Sequence, residues 1–391
     1  MNVTETDVAV LGAGLAGALM AKSLAEKGWR TLLVDRHRFP RHKVCGEFLS
    51  PEVRQTLDAA GLLDRVTALR PARVERARLI SADGGYVDIP LPGTAMGLSR
   101  FRLDEALHEA AAAAGARVLT SAAVLSVTRL ADESCEVRVK REAGMEVIRA
   151  RTVIAAWGAN GQARTAKAGR TRRPLNPWKR SAPDYMGVKS HYTGIEMEPI
   201  VELYLFPGGY LGLCPIEDGL VNVSALLSRE SFRGAGKSVL ALLEAAARRC
   251  PPLHSKLKRG LPVPDAQAAV APVKLDRRLD PWDMLPRLGD SSAMIPPLCG
   301  DGMSMALRSA RLCAPLADDY LRGRLSLAGW EEQYVRAVKR TFGRPLRWGR
   351  LLQSSLDSPA AVRLLLRLAQ LSPGMASGLL EATRLKPERE S

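Results

Sequence analysis

Three glycines, Gly12, Gly14 and Gly17, separate an apolar run at residues 6–11 from an alanine- and leucine-rich run at residues 18–27. No other feature restricts the fold of this chain as much. The first run reads as a buried parallel strand and the second as a helix closed by Gly28. Another apolar run, residues 30–35, follows and ends on Asp35. Strand, glycine turn, helix and strand within about 30 residues make the unit that dinucleotide binding requires. Gly12 permits the tight turn, Gly14 lets the backbone approach a pyrophosphate, and Gly17 lets helix and strand pack closely. The amides of the first helical turn, Ala16 included, then face the phosphate charge. Asp35, 18 residues beyond Gly17 and followed by Arg36, is placed to accept hydrogen bonds from a ribose. Its charge would repel a 2′-phosphate. The unit specifies a dinucleotide without saying which one.

The rest of the pattern divides the chain. Helical periodicity covers residues 51–66 and 103–116, and strand-like runs cover 124–130, 136–140, 146–150 and 152–156. Residues 164–183 are rich in Arg, Lys and Pro and read as an exposed crossing segment. Alternating runs at 186–192, 200–206, 210–215 and 221–227 have Gly208-Gly209 and Glu217-Asp218-Gly219 at their turns, which predicts an antiparallel sheet. A helix at 239–249, a proline-rich loop, a strand at 285–290 and a helix at 302–321 follow. Residues 328–384 read as basic amphipathic helices broken at Pro345, Pro359 and Pro373. With 391 residues and 46% hydrophobic content, the chain can bury a large core. The expected fold is α/β: a Rossmann-like dinucleotide-binding domain built from discontinuous segments, 1–70, 97–160 and 284–325. An antiparallel β substrate sheet, 71–96 and 161–283, is inserted into it, and a C-terminal helical region, 326–391, closes the chain.

A second motif narrows the cofactor. Gly289-Asp290-Ser291-Ser292-Ala293-Met294-Ile295-Pro296-Pro297-Leu298-Cys299-Gly300-Asp301-Gly302-Met303 leads directly into a helix. It resembles the GD motif and flavin loop of the para-hydroxybenzoate hydroxylase and geranylgeranyl reductase superfamily. That resemblance implies FAD, with Asp290 on the ribityl chain and the amides after Pro297, at Gly300, Gly302 and Met303, facing the pyrimidine end of the flavin. A helix N-terminus there would stabilise the negative charge that reduced flavin carries near N1. Residues 39–47, FPRHKVCGE, resemble the family's reductase-like branch, which implies that Arg41 and Lys43 contact FAD and that Cys45-Gly46 lies beside the flavin. Ser99-Arg100-Phe101-Arg102-Leu103-Asp104 resembles a family segment whose first arginine, here Arg100, approaches the cofactor. Residues 201–210, VELYLFPGGY, sit where prenyl reductases carry a Tyr-x-Trp-x-Phe-Pro strand, which makes Tyr204, Phe206 and Tyr210 candidates to line the substrate sheet.

One stretch departs from the family. Where aromatic hydroxylases carry approximately ADG-x-N-S-x-x-R, this chain has Trp157 at the Asp position and Gly161 at the Ser position, keeping Gly158, Asn160 and Arg164. An indole only donates hydrogen bonds, so it does not replace a carboxylate. NAD(P)H docking in the hydroxylase manner is therefore in doubt, and a separate flavin reductase or electron-transfer partner becomes an alternative electron source.

The net charge is +16, from 57 Lys+Arg against 41 Asp+Glu, but it is diffuse, aromatic residues make up only 5%, and no nucleic-acid motif appears. No nucleic-acid partner is expected. The basic C-terminal helices carry Arg336, Lys339, Arg340, Arg344, Arg347 and Arg350 among Leu and Trp, compatible either with peripheral membrane contact or with a solvated face over the FAD domain. Six cysteines without a CxxC pair fit a reducing cytoplasm, and five histidines without ligand spacing predict no metal. Neither a secretory leader nor a transmembrane helix, which takes a run of about 18 apolar residues, is expected. The expectation is a cytoplasmic FAD enzyme acting on a bulky apolar or aromatic small molecule, with monooxygenation through flavin C4a-hydroperoxide chemistry as the main reading. Saturation of an isoprenoid C=C bond is the alternative. Halogenation is disfavoured because no WxWxIP signature occurs, and a non-catalytic flavin binder because the Pro296–Met303 loop is intact. No side-chain acid or base is assigned; Cys45 is the one candidate near the flavin. The oligomeric state is not specified.

Overall fold

The computed structural model describes residues 2–161, 164–167, 184–355 and 381–386, together with isolated positions between 363 and 378. The chain opens with β1 (Asn2–Leu11), α1 (Leu15–Ala25) and β2 (Thr31–Val34), the unit read from the glycine spacing. β3 (Phe48–Leu49) follows, and then α2 (Val53–Asp58) and α3 (Leu63–Ala68). The single helix expected at 51–66 is thus two short ones. Gly61 takes a left-handed φ of 62°, and Leu62 N–H turns back to the Leu57 carbonyl at 2.8 Å.

β4 (Ala72–Ser81) and β5 (Tyr86–Gly97) form a hairpin inside the segment assigned to the substrate sheet, where no strand had been read. β4 carries three arginines and a glutamate, and β5 an aspartate and two prolines, which hides the alternation. The polar residues find partners across the ladder: Arg78 stands opposite Asp88 and donates to both its oxygens at 2.6 and 2.7 Å. After α4 (Arg100–Ala113) and β6 (Arg117–Leu119), the strands β7 (Ala123–Arg129), β8 (Cys135–Arg141) and β9 (Gly144–Ala155) make a meander. β9 is one strand where two were expected, because it stays paired to β1 from Asn2↔Glu146 to Leu11↔Ala155. β10 (Arg164–Lys167) pairs with β7. These strands form a seven-stranded sheet in the order β10-β7-β8-β9-β1-β2-β6, in which β9, β1, β2 and β6 run parallel.

The second sheet contains β11 (Tyr185–Thr193), β12 (Ile200–Phe206), β13 (Gly209–Pro215), β14 (Val221–Ser228), β15 (Leu261–Pro262) and β16 (Ala268–Val273), joined by β3, β4 and β5. α5 (Val239–Ala247) and α6 (Pro251–Leu257) cover one face, burying Leu243, Ala246 and Leu253 against Val223, Leu227 and Leu211. A fully buried Leu stabilises such a layer by about 2 kcal/mol. The expected strand at 285–290 shrinks to Leu285–Pro286 and a helical turn at Gly289–Ser291. α7 (Gly302–Leu321) occupies the bounds read from the sequence, and α8 (Leu327–Ser355) runs on through Pro345 instead of breaking there. Proline removes one backbone bond, but Tyr334, Val338, Phe342 and Leu346 pin both halves of α8 to the core that α1, α4 and α7 share. Pro359 and Pro373 lie outside the described residues.

Candidate functional site

The glycine turn is built as its spacing demands. Gly12 has φ 105°, and an added Cβ would lie 2.4 Å from the Ala156 carbonyl oxygen. A Cβ on Gly17 would lie 1.8 Å from the Gly12 oxygen, so Gly17 packs beneath the turn and does not line the cavity above it. Asp35 holds the turn closed: its Oδ2 accepts from Ala13 N–H and its Oδ1 from His37 N–H, both at 2.8 Å. His108 braces the Ala13 carbonyl from the other side.

Three cations converge over this turn. A Cβ on Gly14 would sit 3.7 Å from an Arg100 guanidinium nitrogen and 3.8 Å from Lys43 Nζ. Arg100 is clamped through two buried hydrogen bonds to Asp104, at 2.7 and 2.8 Å. The charge of Arg100, then burial, lowers the pKa of Lys43; burial likewise lowers that of Arg41, whose Nε has no hydrogen-bond partner among the described residues. Crowded, partly desolvated cations above an open helix N-terminus are the complement of a diphosphate. The residues present fit the pyrophosphate and ribose of FAD.

One cavity of about 950 Å³ begins at this turn and runs to the second sheet. Its walls include Gly12, Gly14, Ala16, Asp35, Arg36, Arg41, Lys43 and Arg100 at the phosphate end. Cys45, Gly46, Asp290, Pro297, Gly300, Gly302 and Met303 surround its middle. Tertiary structure thus gathers every expected cofactor contact except Gly17. The Cys45 carbonyl accepts from Asn222 Nδ2 at 3.0 Å, which ties the Cys45-Gly46 turn to β14. Gly300 is left-handed with φ 74°, and Asp301 stands at the N-cap position of α7 without a side-chain capping bond. Burial pushes the Asp301 carboxyl up to about 7, with Arg384 acting in the opposite direction.

The far end is apolar: Leu79, Ile89, Leu203, Leu205, Tyr210 and Val270 face Met294 and Leu298 across it. Tyr204 and Phe206, expected to line this space, do not. Side chains alternate along a strand, and in β12 the cavity face belongs to Val201, Leu203 and Leu205. Tyr204 and Phe206 point to the layer under α5 and α6, where the Tyr204 hydroxyl donates to Glu202 at 2.8 Å. Tyr210, opposite Leu205, does reach the cavity.

Trp157 and Gly161, the two departures, are in contact. A Cβ on Gly161 would lie 2.4 Å from the Trp157 carbonyl oxygen, 2.6 Å from its Cβ and 2.9 Å from its Cγ. The backbone and first side-chain carbons of Trp157 occupy the space a serine side chain would need.

A cluster given no role from sequence lies beside Cys45. Glu47, Lys189 and His191 are buried together, the first two with no exposure at all. Lys189 Nζ donates to Glu47 Oε1 at 2.6 Å, and His191 Nε2 lies 2.6 Å from Glu47 Oε2 and 2.7 Å from Lys189 Nζ. Glu47 adopts φ 55° and also accepts from Arg100 N–H at 2.9 Å. The available signal was a lysine and a histidine two residues apart in an otherwise apolar strand, on one face of it.

Residues 5–175 match the family model of the FAD binding domain. The menaquinone reductase of Mycolicibacterium smegmatis is 28% identical over 92% of this chain and 88% of its own length. Digeranylgeranylglycerophospholipid reductase 1 of Methanothermobacter thermautotrophicus is also 28% identical, over 81% of this chain and 77% of its own. The crystal structure of a geranylgeranyl bacteriochlorophyll reductase-like protein from Thermoplasma acidophilum superposes with a TM-score of 0.77 at 21% identity, covering 98% of this chain and 96% of that one. Fold and site define a flavin-dependent enzyme. Residues 5–175 carry the FAD binding domain, and the chain is an FAD-dependent oxidoreductase similar to these reductases.

Proposed function

We propose that this oxidoreductase saturates carbon–carbon double bonds of an isoprenoid chain. The observation that carries the reading is the apolar chamber continuous with the cofactor end of one cavity, walled by Leu203, Leu205, Tyr210 and Leu298. Such a chamber suits a long hydrocarbon that makes no directional polar contacts. Relatives whose names record reduction of prenylated lipids and quinones support it over the monooxygenase reading, which yields to the alternative stated from sequence. Bound FAD, once reduced, supplies a hydride. The protein's own part is to hold the phosphates with Arg41, Lys43 and Arg100, to lay the chain along the sheet, and to keep water from the reacting carbons.

The electron source follows the Trp157 departure. With an indole where hydroxylases have a carboxylate, delivery from a separate reductase is favoured over nicotinamide docking at that loop. The substrate's route favours a membrane surface. Arg340, Arg344 and Arg347 are exposed on α8 beside exposed Trp348 and Leu351, and the next residue, Leu352, is in the cavity wall.

The test is anaerobic. Holoenzyme reduced with dithionite is mixed with geranylgeranyl diphosphate, flavin absorbance is followed, and the product is weighed by mass spectrometry. Return of oxidised flavin together with a gain of two hydrogens per saturated bond supports the reading. Flavin that stays reduced until oxygen is admitted, with oxygen then appearing in the product, restores the monooxygenase.

A further inference from the structure

Saturating one double bond breaks a π bond and forms two C–H bonds. The hydride carries its electron pair from reduced FAD, which is oxidised, and a proton must arrive at the other carbon. At the apolar end of the cavity the acids are the Tyr210 phenol and the Cys299 thiol, both made weaker by burial. Beside Cys45, however, the Glu47–Lys189–His191 cluster is only one ring away.

Its hydrogen bonding is overdetermined. A ring nitrogen of histidine is a donor or an acceptor, never both at once. His191 Nε2 nevertheless makes two short contacts, to Glu47 Oε2 at 2.6 Å and to Lys189 Nζ at 2.7 Å. If Nε2 carries hydrogen it satisfies the carboxylate and opposes the ammonium. If it is bare it satisfies the ammonium, and the carboxyl must then hold the proton. One proton therefore has two places, the His191 ring and the Glu47 carboxyl, in surroundings too dry for water to take over either bond. Burial acts to raise the Glu47 pKa, but the charge of Lys189 and the hydrogen bond from His191 outweigh it and leave it lowered.

His42 connects the cluster to the cavity. Its ring stands edge-on to His191 with centroids 5.0 Å apart, stacks on Phe101 at 4.7 Å, and forms part of the cavity wall. Its Nδ1 is buried without a hydrogen-bond partner among the described residues. Burial, then the charge of Lys189, brings the His42 pKa down to about 4, so the ring is neutral near pH 7 and free to take a proton on one nitrogen while releasing one from the other.

We propose that Glu47, Lys189 and His191 are the proton reservoir of this site and that His42 passes the proton into the cavity, to the carbon opposite the one that receives hydride. The reservoir loses one proton per double bond and regains it from solvent between turnovers. This rests on the reductase reading above. Lys189 and His191 from β11 set the titration of Glu47, and Arg100 from α4, Cys214 from β13 and His42 from its own loop also lie against it. His42 is the candidate catalytic residue, and the three buried groups act through it.

Two measurements on holoenzyme test the idea. Nitrogen NMR of histidine-labelled protein needs no substrate: His191 is expected to show ring shifts of a shared proton, changing to a plain neutral tautomer in Glu47→Gln. The second measurement is reoxidation of dithionite-reduced flavin by geranylgeranyl diphosphate across a pH series. Glu47→Gln and His42→Phe proteins that still hold FAD are expected to slow on the order of a hundredfold, with the pH dependence flattened. A purely structural clamp would lower stability and flavin retention but leave the pH profile of the bound fraction unmoved, and that result overturns the proposal. Identical His191 shifts in wild type and Glu47→Gln overturn it as well. If wild-type flavin is not reoxidised by the isoprenoid, the reductase reading fails, and the NMR result alone decides whether the reservoir exists.

Discussion

At the scale of residues, two steric statements can be tested directly. Gly17→Ala places a methyl 1.8 Å from the Gly12 carbonyl, which the turn can relieve only by moving away from α1. A loss of about 2–4 kcal/mol is expected, together with loss of bound flavin, read by thermal denaturation and by the absorbance of the purified protein. At Gly161 the crowding comes mostly from atoms that another residue at 157 would keep. Gly161→Ser should destabilise by about 1–3 kcal/mol, and combining it with Trp157→Asp should recover little, because the carbonyl oxygen and Cβ of residue 157 remain. A double-mutant cycle in which Trp157→Asp restores most of the loss would show that the indole ring, not the backbone, excludes a side chain at 161.

At the scale of elements, the start of α7 is where helix, loop and C-terminal segment meet, and its pH response has a definite sign. The Asp301 carboxyl is at about 7 in the fold, against 3.8 for a free aspartate side chain. A raised folded pKa means that the folded state binds the proton more tightly. The stabilisation is complete below about 3.8 and is lost as pH rises through about 7. A shift of this size corresponds to about 4 kcal/mol as an upper bound. Urea midpoints of wild type should therefore fall between about pH 4 and about pH 7 through this group, and Asp301→Asn should flatten that decline. Equal slopes for the two proteins would remove the assignment. The cation cluster makes the complementary prediction at the other cofactor-facing turn. Lys43→Met should weaken FAD binding roughly tenfold, the loss of about one charge-assisted hydrogen bond, in a flavin titration of apoprotein. Unchanged affinity would mean that Arg41 and Arg100 suffice.

At the scale of the whole molecule, no helix among the described residues is long and apolar enough to cross a membrane, and those residues hold no group of ligands for a metal ion. The exposed arginines of α8, flanking Trp348 and Leu351, should bring the protein down with vesicles containing anionic lipid. Each arginine near such a surface contributes about 1 kcal/mol, so Arg344→Glu combined with Arg347→Glu should abolish sedimentation, and high salt should weaken it in wild type. Equal binding to neutral and anionic vesicles would leave α8 as a solvated cover of the core.

How much could be read in advance follows the range of the forces involved. Gly12, Gly14, Gly17 and Asp35 act within one βαβ unit, so their spacing alone declared a dinucleotide site, and the Gly289–Met303 loop followed by α7 was equally local. By itself the sequence thus determined the parallel start of the first sheet and the antiparallel run from β11 to β14, and every residue it expected at the cofactor except Gly17 lines one cavity. It misjudged what depends on neighbours distant in the chain. Pro345 stays inside α8 because four packed side chains outweigh one missing backbone bond. The hairpin of β4 and β5 escaped because its charges are satisfied only across the ladder. Tyr204 and Phe206 were placed in the right strand and on the wrong face, since a period of two fixes which residues share a side but not which side meets the cavity. Only tertiary structure brought Glu47 from one turn to Lys189 and His191 of β11, separated from it by 142 and 144 residues. No local pattern encodes a hydrogen-bond cluster whose members are that far apart.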